Sequence, residues 1–209
     1  MPPSSEPPYA IRTERLLLRC WEPADASALK DAIDSSLEHL RPWMPWALSE
    51  PQTLEEKVAL LRGFRGRFDL GQDFVYGAFT PDGSEVVGGT GLHTRVGEGA
   101  LEIGYWIRES RTGAGLATEL SAALTRVAFE VCRVDRVEIR VDPANVRSAA
   151  IPEKLGYSEE ARLRRRLPAG EDGEPRDVVV FTLFRDGFAV SPAAAVRVDA
   201  FDVVGNRVL

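Results

Sequence analysis

Hydrophobic residues recur along the chain with two different spacings, which predict strands and helices. Residues 137–141 carry a hydrophobic side chain at every second position, as in a buried strand, whereas residues 116–131 repeat theirs at helical spacing. The same patterns predict strands at 11–21, 74–79, 85–94, 100–108, 137–141 and 177–184. They predict helices at 22–37, 53–68, 116–131 and 145–155. This order favours the α/β class, with one mixed (α+β) sheet in a single domain.

Capping and breaking residues support several of these boundaries. Pro23, with Glu22 before it and Asp25 two residues later, favours a helix start, and Thr53 followed by Glu56 is the pattern of a capping box. The segment 39–46 contains two tryptophans and two prolines. We therefore do not expect this segment to form one regular helix.

The chain divides into a leader, one domain and a tail. Residues 1–10 are rich in proline and serine and are predicted to be a flexible N-terminal leader. Residues 11–186 hold the predicted core elements and form the domain. Residues 187–209 form a C-terminal extension with a further predicted strand near 196–204. This extension either pairs with the sheet edge of a second subunit, as in a homodimer, or folds back on its own domain.

Composition and charge argue against several classes of protein. The 26 basic and 32 acidic residues give a net charge of −6, which argues against a nucleic-acid partner. No apolar run approaches the ~20 residues of a membrane span, so no membrane helix is expected. The N-terminus lacks the features of a secretory signal, and a cytoplasmic protein is expected. Two cysteines and two histidines do not make a convincing zinc site, so no metal is expected.

A glycine turn precedes the best-defined predicted helix. Gly113 and Gly115 lie between a predicted strand and that helix, whose first amides have no partner within the helix. Such amides, with the positive end of the helix dipole behind them, bind anions, and a diphosphate suits them well. The alternative is a plain tight turn in which the glycines only permit a positive φ. Gly-Lys-Ser/Thr is absent, so a nucleotide P-loop is excluded.

Four segments carry a more specific combined pattern. They are LEIGYWI at 101–107, TGAGLATE at 112–119, NVRS at 145–148 and KLGY at 154–157. Together they resemble the GNAT superfamily of N-acetyltransferases, and most of all its RimJ/RimL-type branch. The resemblance implies a GNAT-like fold, which has a central, mostly antiparallel sheet, a splayed pair of parallel strands and flanking helices. It also implies acetyl-CoA as the co-substrate and a primary amine as the acceptor.

The resemblance implies a set of residues that bind CoA. The pyrophosphate is expected to contact the backbone amides of Thr112, Gly113, Ala114, Gly115, Leu116 and Ala117. The strand that ends with Trp106 and Ile107 is expected to pair with pantetheine and to present an amide to the thioester oxygen. Asn145 is expected to cap the next helix and to contact pantetheine. Thr112 and Ala114 depart from the family pattern, so either weaker CoA binding or compensation by Arg111 or Arg147 is expected.

The same resemblance implies direct attack of the amine on the thioester. Many family members have a tyrosine general acid at the position of Pro152, and that role is vacant here. The RimJ/RimL-type branch has a serine at the position of Ser148, whose hydroxyl would donate to the departing sulfur; helix capping is the alternative role. Glu102 is the candidate general base, and an ion-paired strand residue is the alternative. His93 or solvent are the other candidates to accept the amine proton.

Aromatic residues are expected to line the acceptor side. Trp43, Met44 and Trp46 lie where the RimJ/RimL-type branch folds its first helices over the acceptor groove, and Tyr105 lies on the adjoining strand. Core packing is the alternative for such aromatics. The acceptor is either a protein N-terminus or a small amine, and the short segment favours a peptide end. A non-catalytic acyl-CoA-binding module is the rival interpretation. The arginines among residues 162–166 are predicted to form a solvated rim.

Overall fold

A single sheet is the framework of the structure. The computed structural model describes residues 6–169 and 173–209. Within these residues the strands are β1 (Ala10–Arg12), β2 (Leu17–Cys20), β3 (Phe74–Phe79), β4 (Val86–His93), β5 (Ala100–Ile107), β6 (Arg136–Val141), β7 (Ser158–Ala169), β8 (Pro175–Phe184) and β9 (Asp199–Phe201). Their spatial order is β7-β8-β6-β5-β4-β3-β2-β1-β9. Of the pairings between these described strands, only β5–β6 is parallel, which confirms the predicted mixed, mostly antiparallel sheet.

Helices cover both faces of the sheet. In chain order they are α1 (Ala26–Asp34), α2 (Leu37–Leu40), α3 (Leu54–Asp69), α4 (Leu116–Glu130), α5 (Val146–Lys154) and α6 (Arg185–Phe188). The main core packs α4 against the sheet, with Leu124 and Ile103 among its buried residues. A second cluster on the other face joins α1 and α3 to the sheet through Leu29, Leu61 and Phe79. Burial of these apolar faces is the main force that holds the layers together.

The predicted capping box is present at the start of α3. The hydroxyl of Thr53 accepts the Glu56 amide at 3.2 Å, and the Glu56 carboxylate accepts the Thr53 amide at 2.7 Å. The segment 39–46 is not one helix, as expected, because α2 ends at Leu40 and a 3₁₀ turn follows at Pro45–Ser49. The predicted helix at 22–37 is shorter than expected: a 3₁₀ turn at Pro23–Asp25 leads into α1, which ends at Asp34.

The prediction of one strand over residues 11–21 is wrong, because the segment forms the hairpin β1–β2. The Thr13 amide donates to the Leu16 carbonyl at 3.0 Å, and the Leu16 amide donates to the Thr13 hydroxyl at 3.1 Å. These bonds reverse the chain within a few residues. Because hydrophobic residues resume directly after the turn, the sequence pattern does not reveal it.

Strand β7 has no counterpart in the sequence prediction. It is the outermost strand on its side of the sheet and pairs with β8. Residues 162–166 are exposed, in agreement with the predicted solvated rim, but they belong to a strand. An edge strand exposed on both faces has no apolar alternation, so the periodicity that identifies buried strands is missing.

Both ends of the described chain pack at the opposite edge of the sheet. Strand β9 pairs with β1, and Ala200 lies opposite Ile11, so the tail folds back on its own domain. Ala193 of the tail joins the main core. Residues 1–5 of the predicted leader lie outside the described residues. Further along the leader, the carbonyl of Pro8 accepts a hydrogen bond from the Tyr76 hydroxyl at 2.8 Å.

The described residues include neither a membrane-spanning helix nor a metal centre. No helix in this part of the chain is both long and apolar enough to cross a bilayer. No group of three or more His, Cys, Asp or Glu side chains among these residues is arranged to hold a metal.

Strands β5 and β6 separate partway along their length. Residues 100–102 of β5 pair with residues 136–138 of β6. Beyond this point β5 continues to Ile107 and β6 to Val141 with no further pairing between these two described strands. The separation leaves one edge of residues 103–107 without a neighbouring strand, which is the predicted splay.

Candidate active site

A cleft of about 1060 Å³ opens where β5 and β6 separate. Its walls come from the end of β5, the glycine turn before α4, the first turns of α5 and the segment around α2. The volume is at the upper end of the range for small-molecule sites. The lining includes most of the residues singled out from the sequence: Trp43, Tyr105, Trp106, Ile107, Thr112, Gly113, Gly115, Leu116, Ala117, Asn145 and Ser148.

The glycine turn presents unpaired backbone amides to this cleft. Gly113 and Gly115 have φ values of +76° and +79°, which favour glycine because a side chain is strained there. The Thr112 amide donates to the Glu109 carbonyl at 3.1 Å, and the Thr112 hydroxyl donates to the same carbonyl at 2.9 Å. Among the described residues, none accepts a hydrogen bond from the amides of 113–118. The start of α4 therefore has the properties of an anion site.

Arg15, in the β1–β2 turn, clamps the glycine turn from outside the cleft. Its Nη1 donates to the Ala114 carbonyl at 2.7 Å, and its Nε donates to the Glu119 carboxylate at 2.6 Å. The Thr13 hydroxyl donates to the same carboxylate at 2.6 Å. Sequence reasoning missed this clamp because its residues are about a hundred positions apart. Ala114 does not line the cleft; its carbonyl is used in the clamp.

The charged side chains that line the cleft are cationic. Arg147 and Lys154 lie along α5, are exposed, and have no ion-pair partner among the described residues. Arg111 also lines the cleft, but its guanidinium is paired with Glu85. No carboxylate is found among the described residues that form the lining. The cleft is therefore electrostatically suited to a polyanion such as CoA.

Ser148 lies in the first turn of α5 and is held on several sides. The Asn145 side chain caps the helix by accepting the Ser148 amide at 3.2 Å. The Tyr105 hydroxyl lies 3.0 Å from Ser148 Oγ and donates to the Ser148 carbonyl at 3.2 Å. Burial raises the pKa of Tyr105 to about 12, although its hydrogen bond with Ser148 acts in the opposite sense. Tyr105 therefore stays protonated at neutral pH.

The aromatic residues of the predicted acceptor side divide into two groups. Trp43 and Met44 line the cleft. Trp46 is not part of this lining; it is partly exposed and packs edge-on against Trp106, with ring centroids 5.9 Å apart. Trp46 therefore supports the wall of the cleft through Trp106 rather than forming it.

Glu102 and His93 lie away from the cleft lining. Glu102 is buried at the point where β5 and β6 still pair, and its carboxylate is engaged by Arg95 and by Arg140, the latter at 3.6 Å. His93 Nδ1 lies 2.8 Å from Asp73 Oδ1. The structure thus brings Ser148, but neither of these two groups, to the candidate site.

Comparisons with known proteins agree with this geometry. Residues 15–158 match the family model described as the acetyltransferase (GNAT) domain. The chain is 30% identical over 175 residues to "Putative ribosomal N-acetyltransferase YdaF" of Bacillus subtilis, which covers 82% of this chain and 92% of that protein. It is 27% identical over 185 residues to the [ribosomal protein uS5]-alanine N-acetyltransferase of Escherichia coli, which covers 86% and 93% respectively.

A solved structure shows the same architecture. Mycobacterium smegmatis RimJ, in complex with CoA-disulfide, superimposes with a TM-score of 0.76 and 27% sequence identity. The match covers 88% of this chain and 90% of that one. The free amides of the glycine turn, the separated strands and these similarities lead to one conclusion. The chain belongs to the GNAT family, as an N-acetyltransferase of the RimJ/RimL type.

Proposed function

We propose that this protein transfers the acetyl group of acetyl-CoA to the N-terminal amine of a protein acceptor, in the manner of a ribosomal-protein acetyltransferase. The observation that carries the proposal is the row of amides at 113–118, which have no hydrogen-bond partner in the described part of the chain and open onto a cleft whose described charged side chains are all cationic. The second support is the similarity to a uS5-alanine N-acetyltransferase and to a RimJ structure that holds CoA.

The described residues fit both the phosphate groups and the pantetheine chain of the donor, acetyl-CoA. The amides of the glycine turn offer hydrogen bonds to the pyrophosphate of CoA, and Arg147 and Lys154, which have no ion-pair partner among the described residues, have charges for its one remaining phosphate, on the ribose. The free edge of β5 at residues 103–107 offers backbone groups to an extended amide chain such as pantetheine. Arg147 is better placed than Arg111 to compensate for Thr112 and Ala114, because Arg111 is paired with Glu85.

Chemistry at the thioester requires the chain to stabilise two charges. The backbone amide of Ile107, at the separated end of β5, is proposed to donate to the thioester oxygen as negative charge develops there, because the Trp106 amide faces β4. The Ser148 hydroxyl is proposed to donate a hydrogen bond to the sulfur as the carbon–sulfur bond breaks. The amine binds neutral and attacks directly, and its proton passes to solvent, so the chain need not supply a strong base.

A protein N-terminus is favoured over a small amine as the acceptor. The segment over part of the acceptor side consists of the short helix α2, a turn at 41–44 and the 3₁₀ turn Pro45–Ser49. Such a short covering leaves the acceptor side open towards Trp43 and Met44, which suits an extended chain end. The curated relatives named for ribosomal acceptors support the same choice.

Calorimetry and a thiol-release assay test the proposal. We expect acetyl-CoA and CoA to bind, and we expect peptides with a free N-terminal alanine or serine to release CoA. The same peptides with an acetylated N-terminus and an internal lysine are the matched control and should release none. Faster turnover of small amines than of any peptide would contradict the protein acceptor. Binding of acetyl-CoA without turnover on any amine would favour the non-catalytic module.

A further inference from the structure

Proline at position 152 leaves one carbonyl of α5 without its helical partner. In a regular helix the amide of residue 152 donates to the carbonyl of residue 148, but proline has no N–H. Helix α5 nevertheless runs from Val146 to Lys154, with Pro152 inside it. The Ser148 carbonyl therefore needs a donor from elsewhere in the protein.

The donor comes from β5. The Tyr105 hydroxyl donates to the Ser148 carbonyl at 3.2 Å and lies 3.0 Å from Ser148 Oγ. Tyr105 shares a sheet face with Ile103 and Ile107, which belong to the main core, whereas Trp106 points the other way, towards Trp46. Tyr105 thus reaches α5 across the gap between β5 and β6, from the side opposite to Trp46.

We infer that Tyr105 is a positioning residue for Ser148 and takes over the backbone contact that Pro152 has lost. The Ser148 amide is held by Asn145, and its carbonyl and hydroxyl are both held by Tyr105. The phenol proton is shared between the Ser148 carbonyl and Ser148 Oγ, so that Oγ accepts from Tyr105 and keeps its own proton for the departing sulfur. The inference rests on the proposed function and assigns Tyr105 a role other than the acceptor contact expected from the sequence.

The Tyr105 phenol orients Ser148 and does not itself protonate the departing sulfur. Its pKa of about 12 is far above that of a thiol, so proton transfer from Tyr105 to a thiolate is unfavourable. A donor that stays protonated can instead hold Ser148 throughout turnover. Loss of one such hydrogen bond is expected to lower kcat about tenfold.

A double-mutant cycle tests the inference. Tyr105→Phe should lower kcat about tenfold and leave the Kd for CoA unchanged. Ser148→Ala should lower kcat at least as much, and the double variant should be no slower than Ser148→Ala alone, because Tyr105 acts through Ser148. Tyr76→Phe is the matched control, since that hydroxyl also donates to a carbonyl, that of Pro8. Tyr76→Phe should leave kcat unchanged and should lower the Tm by about as much as Tyr105→Phe does.

Pro152→Ala supplies a second, independent readout. This variant restores an N–H that can donate to the Ser148 carbonyl, so the loss of kcat caused by Tyr105→Phe should be smaller in its background. An equal loss in both backgrounds, or additive losses for Tyr105→Phe and Ser148→Ala, would overturn the inference while the proposed function stands. Absence of turnover in the unmodified protein would overturn both.

Discussion

Arg15 and Ala114 are 99 residues apart in the chain, yet the guanidinium of the first donates to the carbonyl of the second at 2.7 Å. The same side chain pairs with Glu119 in the first part of α4. The first hairpin therefore holds the glycine turn in place. The orientation of the unpaired amides of that turn therefore depends on a side chain that does not line the cleft.

Arg15→Ala is expected to weaken CoA binding. Loss of the clamp frees the glycine turn, and ordering it again upon binding costs about 1 kcal/mol, so the Kd should rise about fivefold. Calorimetry with CoA measures this directly. Arg12→Ala is the matched control, because Arg12 lies in the same hairpin and donates to the carbonyl of Pro81 at 3.2 Å. An equal Kd for both variants would show that the Arg15 clamp does not contribute to CoA binding.

A comparison of Gly113→Ala with Gly205→Ala distinguishes the effect of backbone strain on stability from the effect of a side chain in the anion site on CoA affinity. A Cβ at Gly113 meets no protein atom within 4 Å, and Gly205, with φ +86°, has the same open surroundings in the tail. Both substitutions should cost about 1 kcal/mol of stability, because alanine is strained at positive φ. Only Gly113→Ala should weaken CoA binding, since Gly113 lines the cleft. Unchanged CoA affinity in Gly113→Ala would argue against phosphate binding at this turn.

A different outcome is expected at Gly115. A Cβ there would lie 3.5 Å from Arg15 Nη2, so a side chain would meet the clamp. Gly115→Val should therefore raise the Kd for CoA by more than the roughly fivefold rise expected for Arg15→Ala, because it adds strain at φ +79° to displacement of Arg15. Calorimetry checks this rise, and an unchanged Kd would show that the turn tolerates a bulky residue.

Glu102→Gln is expected to affect stability more than catalysis. Its carboxylate is engaged by Arg95 and Arg140 outside the cleft lining, so the pH profile of kcat/KM should keep its acidic limb. The free energy of unfolding should fall by about 1–2 kcal/mol, because a buried charge-assisted contact is lost. Glu138→Gln is the control, since Glu138 lies opposite Glu102 and pairs with Arg136 and Arg140. Loss of the acidic limb in Glu102→Gln alone would instead identify Glu102 as the general base.

Both cysteines are expected to be unreactive in the native protein. Burial raises the pKa of Cys20 and of Cys132 to about 12, so at pH 8 neither forms the thiolate that attacks a disulfide reagent. A disulfide reagent should detect both thiols in denaturant and neither in the folded chain. The folded state favours the protonated thiols, so their contribution to stability is present below about pH 9 and is lost towards pH 12. Rapid native labelling would contradict this.

Local patterns in the sequence predict the fold well where one face of an element is buried. Helix α4 and strand β3 match their predicted bounds closely, and the capping box at Thr53 marks the start of α3. The sequence pattern does not predict the turn between β1 and β2 or the strand β7. In the first, hydrophobic residues continue on both sides of a short turn; in the second, the strand lies at an exposed edge and lacks a buried face.

In the candidate site too, the sequence predicts features within one segment but not contacts between residues far apart in the chain. The glycine turn and the Asn145 cap are contiguous segments, so the sequence reveals them. The contacts of Tyr105 with Ser148 and of Arg15 with Glu119 join residues 43 and 104 positions apart. No local pattern encodes such pairs, because they depend on the path of the chain between them. The ion pairs of Glu102 are likewise visible only in three dimensions.

The pairing of β9 with β1 makes the last residues of the chain a structural part of the domain. Ala200 and Ile11 are both fully buried and belong to the same core. A truncation before Val196 would expose the backbone of the first strand and the apolar side chains beneath it. The hairpin that bears Arg15 would lose its neighbouring strand, so loss of the C-terminal residues would also disturb the glycine turn that Arg15 holds.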